Sequence, residues 1–295
     1  MIDPSPENPV APDIAAARPF DSGLYIVATP IGNLADLSQR AINLLAAADI
    51  VAVEDSRVTG KLLHLLGLKK KMRRYNDHSS AGDRDGLIDA ARVGVVVLVS
   101  DAGTPLISDP GYKLVRAARD AGVFVSTAPG PSAAIAALSI CGLPTDRFLF
   151  AGFLPSKAKA KTDAIVGLSG VQATLVFYES GPRLGATLAA LAGVLRNRDA
   201  AVARELTKKF EEVVTGTLPE LAQRYAGDAP KGEIVLIVGP PEVSDDAEQG
   251  DADAALAEAL QRLPTAKAAA EIAKRFGLER ADVYARAAEM KSSLK

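Results

Sequence analysis

The sequence predicts an α/β protein with two α/β domains followed by a small helical C-terminal unit. Between Leu24 and Val238, short apolar runs of strand type alternate with stretches of helical periodicity. That alternation is the signature of a mostly parallel sheet covered by helices. Several runs end in acidic, Gly- or Pro-rich turns, and the carboxyl ends of parallel strands are where open α/β sheets bind ligands. Beyond Gly239 the chain becomes acidic and then helical.

Met1 to Pro19 carries five prolines and reads as a disordered tail, with no signal-peptide pattern. Leu24–Ala28 is a strand. The turn Thr29–Asn33 leads to a helix that Asn33 caps, with Leu34, Leu37, Ala41, Leu44 and Leu45 at helical spacing. Asp49–Val53 is a second strand, ending at Glu54-Asp55. A Leu-rich helix near Gly60–Leu66, a basic loop and a helix from Asp83 to Arg92 follow. The Val-rich run Val95–Val99 has no polar interruption, so it is a strand buried on both faces. It opens into Ser100-Asp101-Ala102-Gly103-Thr104-Pro105-Leu106-Ile107-Ser108-Asp109-Pro110-Gly111, where Asp109 and Pro110 suit the N-cap and first turn of the next helix. Val123–Thr127 is a strand, and Ala128–Pro131 is the domain junction. The second domain reads as strands at Arg147–Ala151, Thr174–Tyr178, Ala200–Arg204 and Glu233–Val238. Its helices are a small-residue one from Ser132 to Cys141, then Pro182–Leu195 and Leu218–Tyr225. The boundaries are thus 1–20 for the tail, 21–129 and 130–240 for the domains, 241–252 for an acidic linker and 253–295 for three short helices, helix-turn-helix-like in their order.

Composition narrows the function classes. Of 295 residues, 48% are hydrophobic, enough for substantial cores, and the net charge of -2 means that any nucleic-acid contact must be local. One cysteine excludes an internal disulfide framework and fits a reducing cytoplasm. With two histidines beside it, no structural zinc site is expected. No apolar run is long enough to span a membrane. No Gly-x-Gly-x-x-Gly follows an early strand, which disfavours a nicotinamide oxidoreductase.

Six segments, in order, resemble the tetrapyrrole methylase family, the class III S-adenosylmethionine-dependent methyltransferases. They are Ala28–Leu34, Glu54–Arg57, Ser100–Gly111, Phe177–Ser180, Ala203–Lys208 and Lys231–Glu233. Within the family they are most similar to the branch that methylates the 2′-hydroxyl of a cytidine in the decoding centre of 16S rRNA. The resemblance implies a methyl donor, S-adenosyl-L-methionine, held in the cleft between the two domains. It implies 16S rRNA or the assembled small ribosomal subunit as substrate, a homodimer in the cytoplasm, and no metal.

Each motif has a plainer reading beside the functional one. Asp101, Gly103, Thr104, Pro105, Leu106 and Ile107 are donor contacts by resemblance; on spacing alone they are a tight turn with Asp101 bonded to local N–H groups. Ser132 and Ala133 open a helix whose N–H groups suit a carboxylate, or they form a rigid hinge. Tyr178 offers an aromatic face to a cation, or is a core aromatic. Arg204, Gly232, Glu233 and Ile234 complete the candidate donor site, Gly232 through close backbone approach; a plain strand start is the rival reading of the last three. For chemistry, Asp55 is the candidate to orient or deprotonate the hydroxyl, Arg57 to grip a phosphate, and His78 to act as an alternative base. A helix-capping cluster is the rival reading. Lys69–Arg74, Lys157/Lys159/Lys161 and Lys208–Lys209 are candidate phosphate contacts. A corrin-precursor methyltransferase and a non-catalytic RNA-binding protein remain as alternatives.

Overall fold

A computed structural model describes residues 20–227, 229–241, 245–276 and 278–293. The expected tail, residues 1–19, lies outside them. The described residues fall into two compact units that part after Pro240.

The first unit holds two five-stranded sheets. In the first, β1 (Gly23–Val27), β2 (Ile50–Val53), β3 (Met72–Arg74), β4 (Val95–Leu98) and β5 (Val125–Ala128) lie in the order β3-β2-β4-β1-β5, all parallel. The central strands are buried on both faces, as their unbroken apolar runs predict. Tyr25, Val27, Val51, Val53 and Val97 pack under α1 (Gln39–Ala47) and α2 (Ser56–Leu65). Their alternate neighbours Leu24, Ile26, Ala52, Val96 and Leu98 pack under α3 (Ala81–Val93) and α4 (Tyr112–Asp120).

The second sheet runs β6-β7-β10-β8-β9, from β6 (Phe148–Phe153), β7 (Thr174–Ser180), β8 (Asp199–Arg204), β9 (Glu212–Thr217) and β10 (Glu233–Val238). Only β6 and β7 pair in parallel. One face is closed by α7 (Gly181–Leu195) and α8 (Leu218–Arg224) over Leu175, Phe177, Val202 and Leu236. The other is closed by α5 (Ala133–Ile140), which sets Ala134, Ala137 and Leu138 on Val176, Ala201 and Ile237. Cys141 ends this helix, 1% exposed, its thiol 3.3 Å from the Leu138 carbonyl.

Several boundaries differ from expectation. Asn33 caps only a 3₁₀ turn, Leu34–Asp36, and α1 starts anew at Ser38, whose hydroxyl accepts from the Ala41 N–H. The basic loop contains β3, because Met72–Arg74 can extend the parallel ladder beside β2. Asp109 does not cap α4: Gly111 occupies that position with φ +139° and no side-chain cap. The Lys157–Lys161 segment enters a helix, α6 (Ala158–Leu168), in which Lys161 is buried, its ammonium 2.8 Å from the Thr187 hydroxyl.

In the second unit, α9 (Asp245–Arg262), α10 (Thr265–Phe276) and α11 (Arg280–Ser293) close on Leu256, Ala259, Ala269, Ile272, Val283 and Ala287. The first helix begins within the stretch expected as linker. Arg286 is held by Asp253, at 2.7 Å between guanidinium and carboxylate.

Candidate functional site

A cavity of about 430 Å³ opens in the first unit, where the carboxyl ends of β2 and β4 meet the ends of β7, β8 and β10. Its size falls in the range of small-molecule sites, ~300–1,000 Å³.

The loop after β4 forms one wall. Thr29 and Gly103 exchange backbone hydrogen bonds of 2.8 and 3.0 Å, which pins the loop to the end of β1. The Thr104 hydroxyl donates to the Pro131 carbonyl at 2.9 Å and ties it to the segment before α5. Gly103 has φ +77°, and Leu106 and Ser108 also lie at positive φ, so the loop holds strain near the cavity. Asp101, Gly103, Thr104 and Ile107 line the cavity as expected, joined by Ser108 and Asp109. Pro105 and Leu106 do not: the Leu106 side chain turns under the loop, towards Leu114 and Leu98 in the core. Asp101 accepts the backbone N–H of Asp55 at 3.1 Å. Burial pushes the Asp109 carboxyl up, the Ser100 hydroxyl partly offsets this, and Asp101 adds to it.

The second sheet supplies the facing wall, with Tyr178, Gly232, Glu233 and Ile234 all in the lining. Tyr178 stacks edge-on against Phe150 and Phe153, with centroids 4.9 and 5.6 Å away. Burial raises its pKa, while the Ala134 N–H and the Ser132 side chain hydrogen-bond its hydroxyl. Ser132 is therefore spent on Tyr178 and stays out of the lining, while Ala133 enters it. Glu179, next to last in β7, has its carboxylate 1% exposed, accepting from Thr187 at 2.6 Å and paired with Arg183 at 3.2 Å. Gly232 has φ +99°, and a Cβ there would stand 2.0 Å from the Glu205 carboxylate. Lys208 reaches Glu205 at 3.0 Å and Glu233 at 3.5 Å. Burial pulls the Lys208 pKa down, but these two acids outweigh it and the net shift is upward. Arg204 stands outside the lining, since its guanidinium turns to Glu212 at 2.6 Å.

The three candidates for chemistry are not in the lining. Asp55 caps α2, accepting the Arg57 N–H at 2.8 Å, and pairs with the Arg57 guanidinium at 2.6 Å. That pairing lowers its pKa to about 2. Arg57 itself is 86% exposed. His78 is exposed in the turn after β3, its backbone N–H on the Asn76 side chain. The residue before Asp55, Glu54, does line the cavity. Burial raises its pKa, and Asp109, Asp101, Asp77 and Asp55 push it further.

Sequence reasoning missed Glu54, Ser108, Asp109, Phe153 and Lys208 as lining residues. Glu54 directly follows a strand, a position that marks ligand sites in parallel sheets; Phe153 and Lys208 carry no comparable local signal.

Around the cavity, apolar Ile31, Ile107, Ala133, Phe153 and Ile234 alternate with six acids and Lys208. Apolar surface suits a planar base, and a surplus of carboxylates suits a cation. Among the described residues, no cluster of His, Cys, Asp and Glu could hold a metal ion, and no helix is long and apolar enough to cross a membrane.

Comparison with known proteins places the site in context. Residues 23–222 match the family model described as Tetrapyrrole (Corrin/Porphyrin) Methylases, and residues 246–291 match one described as RsmI C-terminal HTH domain. The chain is 54% identical over 278 residues to ribosomal RNA small subunit methyltransferase I of Erythrobacter litoralis, covering 94% of this chain and 98% of that one. It is 50% identical over 280 residues to the protein of the same name from Mesorhizobium japonicum, covering 94% and 95%. A solved uroporphyrin-III-C-methyltransferase from Thermus thermophilus superposes with TM-score 0.52 at 23% identity, over 74% of this chain and 94% of that one, a likeness of fold.

Proposed function

From the premise that the chain belongs to the tetrapyrrole methylase family, we propose that it methylates the ribose 2′-hydroxyl of a cytidine in the decoding centre of 16S rRNA. Membership of a methyltransferase family brings S-adenosyl-L-methionine as methyl donor, and relatives over nearly the whole length carry the name of an rRNA methyltransferase. The donor supplies an electrophilic methyl on a sulfonium centre and leaves as a neutral thioether.

One observation supports the reading most: the cavity gathers Asp101, Gly103, Thr104, Ile107, Ala133, Tyr178, Gly232, Glu233 and Ile234 from separate strand ends. In this reading Ile107, Ala133 and Ile234 bound the base of the donor, Tyr178 and the acids favour its cationic end, and Gly232 brings backbone close. Arg57, exposed and oriented by Asp55, grips a phosphate of the RNA. Lys69 and Lys71, both exposed, extend that cationic strip. The helical unit supports a ribosomal over a corrin-precursor substrate, because it matches a domain found with the rRNA enzymes. We assign the domain limits 21–129 and 130–240 that the sequence suggests, a helical unit that starts earlier than the expected 253, with its first helix at Asp245, and a cytoplasmic location beside the ribosome.

The protein acts as a homodimer in this reading. Edge strand β6 leaves Phe148 and Leu149 exposed, and α5 leaves Ile135 and Ile140 so. Apolar residues grouped on a surface mark interfaces. Sedimentation equilibrium of the purified chain should give twice the 30.7 kDa chain mass.

The decisive experiment maps ribose methyls in 16S rRNA from cells lacking the protein. Loss of one cytidine 2′-O-methyl, restored by the purified chain with donor and small subunits, is the expected result. An unchanged map would remove the assignment.

A further inference from the structure

The cavity contains one carboxylate that the rest of the molecule leaves uncommitted. Asp101 accepts from Asp55, Glu179 from Thr187 and Arg183, and Asp109 from Ser100. Glu205 and Glu233 share Lys208. Among the described residues, the Glu54 carboxylate alone of the lining acids has no hydrogen-bond or ion-pair partner.

Its position is as telling. Glu54 follows the last residue of β2, so it stands at the carboxyl end of the parallel sheet, on the cavity wall. On its other side runs β3, with Val53 opposite Arg74. The Arg74 Nε donates to the Glu54 backbone carbonyl at 3.3 Å. Arg57, at the start of α2, is 86% exposed. Glu54 therefore lines the cavity at a strand end whose neighbours, β3 and the start of α2, carry Arg74 and Arg57.

We propose that Glu54 is the proton acceptor for the ribose 2′-hydroxyl during methyl transfer. The inference rests on the functional reading above and adds a residue role to it. The hydroxyl oxygen forms its bond to the methyl carbon as the carbon–sulfur bond breaks, with that electron pair remaining on sulfur. The O–H proton passes to the Glu54 carboxylate. The products are a methyl ether, a neutral thioether and a neutral carboxylic acid, which then returns its proton to water.

The electrostatic setting fits this role. Burial, with Asp109 and Asp101 from the β4–α4 loop, Asp77 from the turn before α3 and Asp55 beside it, raises the Glu54 pKa. The nearby cations are turned elsewhere: Arg57 pairs with Asp55, and Arg74 donates to the Glu54 backbone carbonyl. A carboxylate raised in this way is a stronger base, and base strength near the working pH favours proton transfer. Asp55, held at about 2 by Arg57, is the weaker base of the pair.

The test compares the wild type with Glu54→Gln and Glu54→Asp. Single-turnover methylation of small ribosomal subunits is followed over roughly pH 5–9, and donor affinity is measured by calorimetry. Glu54→Gln should lose ~10²–10⁴-fold in rate, the usual contribution of a placed base. Its donor affinity should stay within about 3-fold. Wild-type activity should fall at low pH as Glu54 takes up a proton, and the residual activity of Glu54→Gln should lack that limb. Glu54→Asp should recover part of the rate. A Gln variant with wild-type rate, or with an unchanged acid limb, would overturn the proposal. So would an equal loss of donor affinity, which would make Glu54 a donor ligand. If the wild type binds donor but methylates no small subunit, the functional reading fails first and this role falls with it.

Discussion

Asp55 gives its backbone N–H to Asp101 and its carboxylate to Arg57, so one residue joins the cavity wall to an exposed cation. The sign of its pKa shift fixes its behaviour with pH. The folded value, about 2, lies below the ordinary aspartate value of 3.8. Any stability from the pair is therefore present above the unfolded pKa and is lost only as pH falls through about 2. We expect the Asp55 carboxyl carbon to titrate near 2 by NMR; a midpoint near 4 would show that the pair is not formed in solution. At Gly232 the constraint is steric. A Cβ would meet the Glu205 carboxylate at 2.0 Å, and φ is +99°. Gly232→Ala should cost about 1–3 kcal/mol in stability, and displacement of Glu205 should weaken donor binding by about tenfold or more in calorimetry. Much of the cavity lining was legible from sequence, because strand ends followed by Gly, Pro and acid announce themselves. The chemistry was less so: Glu54 and Asp55 are adjacent, and only the fold decides which one faces the cavity and which one caps a helix.

At the scale of elements, the buried alternation of β1, β2 and β4 was readable because both faces demand apolar residues. β9 was not: Glu212–Thr217 mixes Thr and Gly with two valines, and as an antiparallel edge it is only half buried. The α6 helix hid behind a lysine pattern that spacing alone makes a solvated loop. Its Lys161 instead meets Thr187, which donates to Glu179. Thr187→Val would leave both charged groups short of a buried partner. That should cost about 1–3 kcal/mol and lower Tm by several degrees, at roughly 2–4 °C per kcal/mol. Unchanged thermal melting would mean that water replaces the hydroxyl. The segment before and within β3 divides its cations between structure and surface. Lys70 donates to the Ala46 and Ala48 carbonyls at the end of α1, and Arg73 reaches the Gly86 carbonyl at 3.1 Å. Lys69 and Lys71 remain exposed. Lys69→Ala with Lys71→Ala should reduce the slope of log affinity for 16S rRNA against log salt by roughly 1–2, at about 0.7–0.9 per phosphate. An unchanged slope would place the RNA elsewhere.

Over the whole molecule, two self-contained cores make the division of labour testable. The unit that ends at Pro240 holds every residue of the cavity, and the helices after it close on their own apolar cluster. A chain truncated after Pro240 should fold and bind donor with near wild-type affinity, yet lose at least about tenfold in affinity for small subunits, on the order of 1.4 kcal/mol. Equal subunit affinity would assign the RNA contact to the first unit alone. The α/β class and the helical end were visible in sequence, through strand–helix alternation and the Pro264 and Gly277 breaks, and the structure sets both sheets in one compact unit that ends at Pro240. The joining of strand ends from two sheets into one cavity was expected only through the family resemblance and not from local pattern, because it brings together residues more than a hundred positions apart, such as Asp101 and Gly232.

The lone thiol offers a practical return on this packing. Cys141 is sealed under α5, so the native chain should be silent to maleimide reagents. A cysteine introduced at an exposed position, such as Phe124 or Tyr284, would then be the only site labelled. With both cysteines introduced together, one in each unit, a pair of fluorophores or spin probes would report the distance between the units while the ribosome is bound.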